Sequence, residues 1–260
     1  MKLILHHAPA SPFCRFVLMA AIHKGVDIDI YASNPAMPEN KRIASVNPLR
    51  RIPVLEIYHD SGEKDVLRHS ILICEYLDSL SEQNKIIENN FSFKAIYYNF
   101  LGITERAIGL FYETKRDPEL QSKANIGRWK LILNESLDEI EMFLETYPID
   151  RVNLVTITLS ALLGFLDFKL RNEIDWRENR PKLVKWFSEF QKQDVFQKTL
   201  SFEMAELEQG AIYSYKYNSE ISDALNPFMM FSKRSEIIEH SDTAAVSRSL
   251  PLNYRASKMN

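Results

Sequence analysis

The first eighty residues alternate short apolar strands with helices, whereas residues 91–208 carry a helical pattern only. An apolar helical stretch covers 13–22, a loop and a short helix cover 33–46, and a further helical period begins at Ser70. The candidate strands are short runs at 2–5, 26–31, 52–58 and 65–68. The last two bracket "HDSGEK", a segment typical of a hairpin turn. The order β-α-β-α-β-β-α therefore predicts a compact α/β unit over residues 1–80.

A polar segment separates this unit from the rest of the chain. "SEQNKIIENN" at 81–90 is interpreted as a linker, and the pattern at 91–208 predicts an all-helical domain. From 209 to 260 aromatic, Met and turn residues follow one another without a clear period, so this part is treated as a C-terminal extension. Because Met-rich surfaces adapt to varied partners, we expect "NPFMMF" at 226–231 to fold over a cleft or onto a partner subunit.

Composition argues against several classes of protein. The 260 residues carry a formal net charge of −3, so no bulk attraction to nucleic acid or to an anionic membrane is expected. Only seven glycines occur, and no phosphate-loop pattern is present. The longest apolar stretch, 154–166, is shorter than the roughly 20 residues of a membrane span and predicts a buried core helix.

The cysteines and the first histidines predict no metal site. Cys14 and Cys74 lie far apart in the sequence and form neither a metal-ligand pattern nor a disulfide framework. A reduced, cytoplasmic location is therefore the simplest interpretation. His6 and His7 also lack metal-ligand spacing and are predicted to be loop residues after the first strand.

The stretch "SPFC" at 11–14 has two interpretations. Ser11 and Pro12 are a preferred N-cap and first helical residue, so the segment can be a helix start and nothing more. The same geometry places a hydroxyl beside unpaired backbone N–H groups at the positive end of a helix, where it can stabilise a bound thiolate. Cys14 lies further into the predicted helix, so it is a weak candidate for a nucleophile.

Five segments of the chain, in order, resemble glutathione transferases. "SPFCR" at 11–15 resembles the "SPFVR" opening of bacterial Ser-type members, and "NPLRRIPVL" at 47–55 resembles "NPLGKVPVL". "HSILICEYLDSL" at 69–80 resembles "DSRVIVEYLDSL", the apolar segment from 153 resembles a buried helix of the family, and 175–199 resembles its closing segment. The resemblance spans residues 1 to about 205 and depends on the order and spacing of motifs that are individually weak.

The resemblance implies a fold and an activity. It implies an N-terminal thioredoxin-like domain with a glutathione site, followed by an all-helical glutathione-transferase C-terminal domain that forms the other wall of a cleft. It also implies a homodimeric enzyme that conjugates or exchanges the thiol of glutathione, its co-substrate, with an electrophilic small molecule. Detoxification and biosynthesis are both open as its role.

Site residues follow from the same resemblance. Ser11 occupies the position of the catalytic hydroxyl. The implied glutathione-binding residues are Ile52 and Pro53 at a cis-proline site, together with Arg51, His69 and Ser70. The candidates for the electrophile pocket lie on the first long helix: Tyr97, Tyr98, Thr104, Arg106 and Tyr112. Arg51 can instead be a solvated surface residue. The five candidates for the electrophile pocket can instead lie in the core or at the surface. Both alternatives remain open.

Three features depart from the family pattern. His69 stands where the family has an acidic residue that holds the ammonium group of glutathione. Asn153 and Thr156 replace the usual Ser/Thr and Asp of a capping box, which predicts a weaker cap. The chain also continues about fifty residues past the family's usual end. A second hypothesis is therefore a non-catalytic interaction protein of this fold, resembling stringent starvation protein A.

Overall fold

A computed structural model of the chain describes residues 1–34, 41–146, 151–201, 203, 212–215 and 232–233. Its N-terminal part contains β1 (Lys2–His7), α1 (Pro12–Lys24), β2 (Ile28–Ala32), α2 (Lys41–Val46), β3 (Val54–Tyr58), β4 (Lys64–Leu67) and α3 (Ser70–Ser79). This is the βαβαββα order of a thioredoxin-like domain, as predicted.

The sheet contains two strands more than this order requires. Its strands lie in the order β4-β3-β1-β2-β5-β6, where β5 (Ile212–Tyr215) and β6 (Ser232–Lys233) come from the C-terminal extension. β1 pairs in parallel with β2 and antiparallel with β3, and β5 pairs antiparallel with β2. The extension therefore continues the sheet beyond the β2 edge, whereas the segment 226–231 lies outside the described residues.

Helix α1 is the central packing element. It begins at Pro12 after the N-cap Ser11 and ends before Gly25, whose φ of 66° is a left-handed conformation that glycine adopts without strain. Nearly all of its residues are buried, because α3 packs on one side of it and a helix of the second domain on the other. Burial on more than one side agrees with a sequence that is apolar on almost every face of this helix.

The second part of the chain is helical. It contains α4 (Phe91–Thr114), α5 (Lys123–Thr146), α6 (Leu154–Lys169), α7 (Pro181–Phe190) and α8 (Asp194–Gln197). Every residue from Leu154 to Leu166 is buried, so the longest apolar stretch of the sequence forms a core helix, as predicted. No helix within the described ranges is both long and apolar enough to cross a membrane.

The start of α6 carries a complete capping box. The side chain of Asn153 accepts a hydrogen bond from the backbone N–H of Thr156 at 3.0 Å, and the Thr156 hydroxyl accepts one from the backbone N–H of Asn153 at 2.9 Å. The substitution of both usual residues thus preserves the reciprocal hydrogen bonds of this motif.

The predicted linker is held against the N-terminal domain. Lys24 Nζ donates to the carbonyl oxygens of Ser81 and Gln83 at 2.7 and 2.6 Å, and Asp78 accepts from the backbone N–H of Ile86 at 2.9 Å. The carbonyl of Ile86 in turn accepts from the backbone N–H of Leu154 at 2.8 Å. These bonds connect α1, α3 and α6 through the linker and thereby position the two walls of the cleft between the domains.

Candidate active site between the two domains

A cleft of about 580 Å³ opens between the N-terminal end of α1 and helices α4 and α6. The loop before α1 and the loop before β3 form one wall, and α4 and α6 form the other. A cavity of this size is within the range of small-molecule sites. The sequence-predicted residues that line it are Ser11, Arg51, Ile52, Arg106 and Tyr112.

Ser11 combines the two roles that its sequence context allows. Its Oγ accepts a hydrogen bond from the backbone N–H of Cys14 at 3.3 Å, so it caps α1. Ser11 also lines the cleft. A hydroxyl has two acceptor sites and one donor, so the capping bond leaves the O–H proton available for a ligand.

Cys14 has no access to the cleft. Its side chain is completely buried, and burial raises the pKa of its thiol to about 12. A thiol with such a pKa holds its proton at neutral pH and is a poor nucleophile. Cys74 is also buried.

The loop before β3 presents Arg51 and Ile52 to the cleft. Asn47 fixes this loop, since its side-chain amide donates to the carbonyl of Arg51 at 2.8 Å and its Oδ1 accepts from the backbone N–H of Leu49 at 3.1 Å. The peptide bond between Ile52 and Pro53 is cis, as the resemblance implies. Pro53 is not among the residues that line the cavity.

His69 and Ser70 lie at the start of α3, outside the lining of the cavity. Ser70 is buried as the first residue of the helix, and His69 is its exposed N-cap. The Nδ1 atom of His69 accepts a hydrogen bond from the backbone N–H of Ile71 at 3.3 Å. In the neutral ring Nε2 then carries the proton, so the imidazole presents a donor to its surroundings.

The structure brings two of the five residues of the predicted electrophile pocket to the cleft. Arg106 and Tyr112 line the cleft, but Tyr97, Tyr98 and Thr104 do not. Tyr97 and Thr104 are buried on the core face of α4, and the Thr104 hydroxyl donates to the carbonyl of Phe100 at 2.7 Å. Tyr98 is half exposed, two turns before the part of α4 that reaches the cleft.

Several lining residues were missing from the sequence prediction: Phe13, Glu105, Ile108, Phe111, Phe165 and Lys169. The lining residues of α4 follow helical spacing, because positions 105, 108 and the predicted 112 recur at intervals of three and four residues. This spacing was available from the sequence. It could not show which of two candidate faces points to the cleft, since both faces carry aromatic residues.

The buried carboxylate of Glu56 lies on β3, the strand that follows the loop at the cleft. Glu56 is fully buried, and hydrogen bonds reach it from His6 Nε2 at 2.7 Å, Arg42 at 2.6 Å, Tyr58 at 3.0 Å and Lys64 at 3.0 Å. Arg42 lies on α2, which leads into the loop before β3. The cluster therefore ties α2, the element before that loop, to β1, β3 and β4.

Burial and the neighbouring charges have opposite effects on the pKa of the Glu56 carboxyl. Burial alone would raise the pKa of its carboxyl, but the hydrogen bond from His6, the charge of Arg42 and the hydrogen bond from Lys64 outweigh burial and hold this pKa well below its usual range. Burial lowers the pKa of His6, and the hydrogen bond to Glu56 offsets only part of that effect. An ionised Glu56 and a neutral His6 that donates through Nε2 satisfy this geometry.

The prediction that His6 and His7 are loop residues is wrong. Both belong to β1 and are buried. The polar partners that allow His6 to be buried, Glu56 and Ser33, come from other strands and loops of the domain. Burial also lowers the pKa of His7 to about 3, so this ring is neutral at physiological pH.

Comparison with known proteins agrees with this architecture. The family model of the glutathione S-transferase N-terminal domain matches residues 5–85. The uncharacterized GST-like protein YibF of Escherichia coli (strain K12) is 27% identical over 205 residues, which are 76% of this chain and 98% of YibF.

Solved structures extend the likeness to both domains. The crystal structure of a glutathione S-transferase from Methylobacillus flagellatus with glutathione bound is 26% identical, with a TM-score of 0.68, and the match covers 77% of this chain and 100% of that one. A glutathione transferase family member from Pseudomonas fluorescens Pf-5 with bound glutathione has the same TM-score and coverage at 24% identity, which shows the shared fold. Residues 5–85 therefore match a glutathione S-transferase N-terminal domain, and the thioredoxin-like and helical domains together share the fold of glutathione S-transferases.

Proposed function

We propose that this protein is a glutathione transferase that joins the thiol of glutathione to an electrophilic small molecule, or exchanges it with one. The observation that carries this proposal is the position of Ser11, which lines the cleft and is the N-cap of α1. Glutathione bound to the related enzyme of Methylobacillus flagellatus supports the choice of thiol substrate.

Ser11 would act on the sulfur of glutathione. Its O–H proton is not used by the capping bond and can be donated to a thiolate. The positive end of the α1 dipole and unpaired N–H groups of its first turn favour the same negative charge. A stabilised thiolate is present in larger fraction at neutral pH and is the species that attacks an electrophile.

The peptide part of glutathione fits the residues around Ser11 in most respects. The backbone of Ile52 would pair with the cysteinyl residue, and Arg51 at the cleft would meet the glycine carboxylate. Ser70 and the first N–H groups of α3 suit the carboxylate of the γ-glutamyl group, because helix N-termini favour anions. The Nε2–H of His69 would add a donor for that carboxylate.

The quaternary structure and the location are part of the proposal. Large apolar side chains are exposed on α3 and α4: Leu72, Phe91 and Tyr98. Their burial against a second copy would favour a homodimer. Both cysteines are free and buried, which is compatible with the reducing conditions of the cytoplasm.

One observation favours a second candidate function. His69 provides no carboxylate for the ammonium group of glutathione, and its accepting nitrogen is already bonded to the backbone of Ile71. A protein of this fold that no longer binds glutathione and serves as an interaction partner, like stringent starvation protein A, would tolerate this arrangement.

Titration calorimetry with glutathione, followed by a turnover assay with 1-chloro-2,4-dinitrobenzene, separates the two candidates. The transferase predicts saturable binding and glutathione-dependent formation of the thioether. Binding should also raise the free energy of unfolding by about 2.7 kcal/mol at a hundredfold excess over Kd. If millimolar glutathione neither binds nor changes the melting temperature, the proposed transferase is excluded and the interaction protein is favoured.

A further inference from the structure

The helical wall of the cleft combines aromatic rings with a guanidinium group that has no partner in the part of the chain that the structure describes. Phe111, Tyr112 and Phe165 line this wall, and the ring of Phe111 packs edge-on against Phe165 with centroids 5.9 Å apart. Arg106 lies in the same wall on α4 and is exposed. Among the described residues it makes no hydrogen bond, ion pair or ring contact.

The other cation of this wall, Lys169, already has an anionic partner. Lys169 Nζ pairs with the carboxylate of Glu203 and lies 4.4 Å from the ring centroid of Phe168. Its positive charge is therefore largely offset. Arg106 is the cation on the helical wall whose charge is left for a ligand.

The cleft as a whole, like Arg106, carries an excess of positive charge. The basic lining residues are Arg50, Arg51, Arg106 and Lys169, whereas Glu105 is the acidic residue among the described lining positions. A cleft with this excess of positive charge attracts anions. Arg51 is assigned above to a carboxylate of glutathione, so Arg106 needs a different anionic group.

We propose that the electrophile carries a carboxylate that binds Arg106, and that its apolar or aromatic body packs on Phe111, Tyr112 and Phe165. A guanidinium group suits this ligand because its planar fork can donate two parallel hydrogen bonds to one carboxylate. The inference rests on the proposed transferase activity and names the substrate class of the same site.

A matched pair of electrophiles tests the inference: 4-chloro-3-nitrobenzoate and 4-chloro-3-nitrobenzamide. In both, the thiolate of glutathione forms a carbon–sulfur bond at C4, and chloride leaves with the electrons of the carbon–chlorine bond. The proton of the thiol goes to solvent. The two substrates differ in charge at a position remote from the reacting carbon.

The measured quantity is the ratio of kcat/KM for the benzoate to kcat/KM for the benzamide. Using one ratio for each variant cancels the difference in intrinsic reactivity. We expect Arg106→Gln to lower this ratio by about tenfold, the loss of one charge-assisted hydrogen bond at a partly exposed site. Arg128→Gln is the matched control, because Arg128 is an exposed arginine on α5 outside the cleft lining. It should leave the ratio unchanged.

The outcomes separate this inference from the transferase itself. An equal fall for both electrophiles, or the same ratio in Arg106→Gln as in the wild type, overturns the role of Arg106 while the transferase stands. If neither electrophile reacts, calorimetry with the two S-aryl glutathione products gives the same ratio from binding constants. If neither product binds, the transferase and the inference fall together.

Discussion

The Nδ1 atom of His69 accepts a hydrogen bond from the backbone N–H of Ile71, 3.3 Å away. This bond caps α3, and it uses the nitrogen that would otherwise accept a hydrogen bond from the ammonium group of glutathione. Neutral His69 therefore has no second acceptor nitrogen to offer the ammonium group. The ring offers a donor instead, which suits the neighbouring carboxylate of the γ-glutamyl group.

Replacement of His69 by Asp should strengthen glutathione binding. Asp caps a helix as well as Asn does, and its second carboxylate oxygen can meet the ammonium group. We expect His69→Asp to lower Kd on the order of fivefold, the contribution of an exposed ion pair. His69→Asn is the matched control, because it retains a cap without the charge. Equal Kd values for the two variants in titration calorimetry would show that the ammonium lies elsewhere.

Loss of the Ser11 hydroxyl should lower turnover by roughly 10²–10³, the usual cost of one donor to a developing or bound anion. Ser11→Ala also removes the α1 cap, so Ser11→Thr is the informative companion, since it retains both the cap and the hydroxyl. Stopped-flow ultraviolet absorbance of bound thiolate against pH should show a higher thiol pKa for bound glutathione in Ser11→Ala only.

Cys14→Ser should change turnover far less than Ser11→Ala. The Cys14 thiol is buried and its pKa is raised to about 12, so it does not supply a nucleophile. A comparable loss in the two variants would assign the chemistry to Cys14.

Stability should fall as the pH drops below about 6.5. The pKa of His7 is lowered to about 3 in the folded protein, so between these values the unfolded chain binds a proton that the folded chain does not. This difference lowers the free energy of unfolding by about 1.4 kcal/mol per pH unit. His6, with its lowered pKa, adds a change of the same sign. Below pH 4.5, protonation of Glu56 in the unfolded chain acts in that direction too, because the folded protein keeps this carboxyl ionised.

Urea denaturation between pH 7.5 and 4.5 measures this dependence. His7→Gln should make the curve shallower by up to the contribution of one histidine, and His59→Gln, in an exposed turn, serves as the control. An identical slope in His7→Gln and the wild type would mean that His7 is protonated in the folded state.

Gly164→Ala should destabilise the protein, although alanine is the better helix former. A Cβ atom at this position of α6 would overlap Nη1 of Arg15, which is buried. Arg15 cannot easily move, because it donates to the carbonyl of Phe196 at 3.3 Å and stacks over the Phe196 ring at 4.0 Å. We expect a loss of about 1–3 kcal/mol, typical of overpacking.

A double-mutant cycle identifies the cause. In an Arg15→Met background the overlap is removed, so Gly164→Ala should become neutral or stabilising. Gly102→Ala, on α4 with no atom near the added Cβ, should stabilise the protein by about 0.5–1 kcal/mol. If Gly164→Ala costs the same in both backgrounds, Arg15 is not the obstacle.

Removal of the residues after 203 should expose an edge of the sheet. β5 pairs with β2 in the register Ile28 to Tyr215 and Tyr31 to Ile212, so truncation leaves the outward backbone groups of β2 without partners. We expect faster amide hydrogen exchange in β2 and increased self-association, because an unpaired edge strand is a template for pairing. Unchanged exchange in β2 would mean that β5 does not pair with it in solution.

Local chemistry made much of the architecture predictable from the sequence. Ser11 and Pro12 start α1 through short-range capping, and the stretch from Leu154 to Leu166 is too apolar to lie anywhere but in a core. The βαβαββα order follows from local patterns that span at most 13 residues each. These features need only neighbours in the sequence, so the sequence determined them.

Tertiary structure alone decided the features that depend on distant partners. His6 is buried because Glu56, fifty residues later, accepts its hydrogen bond, and Ile212 joins the sheet because β2 offers an open edge. Because of the orientation of α4, Arg106 and Tyr112 line the cleft, whereas Tyr97 and Thr104 are buried in the core. Helical periodicity defines the faces of α4, but which face meets the cleft is set by its packing against α5 and α6, through contacts that the local pattern does not encode.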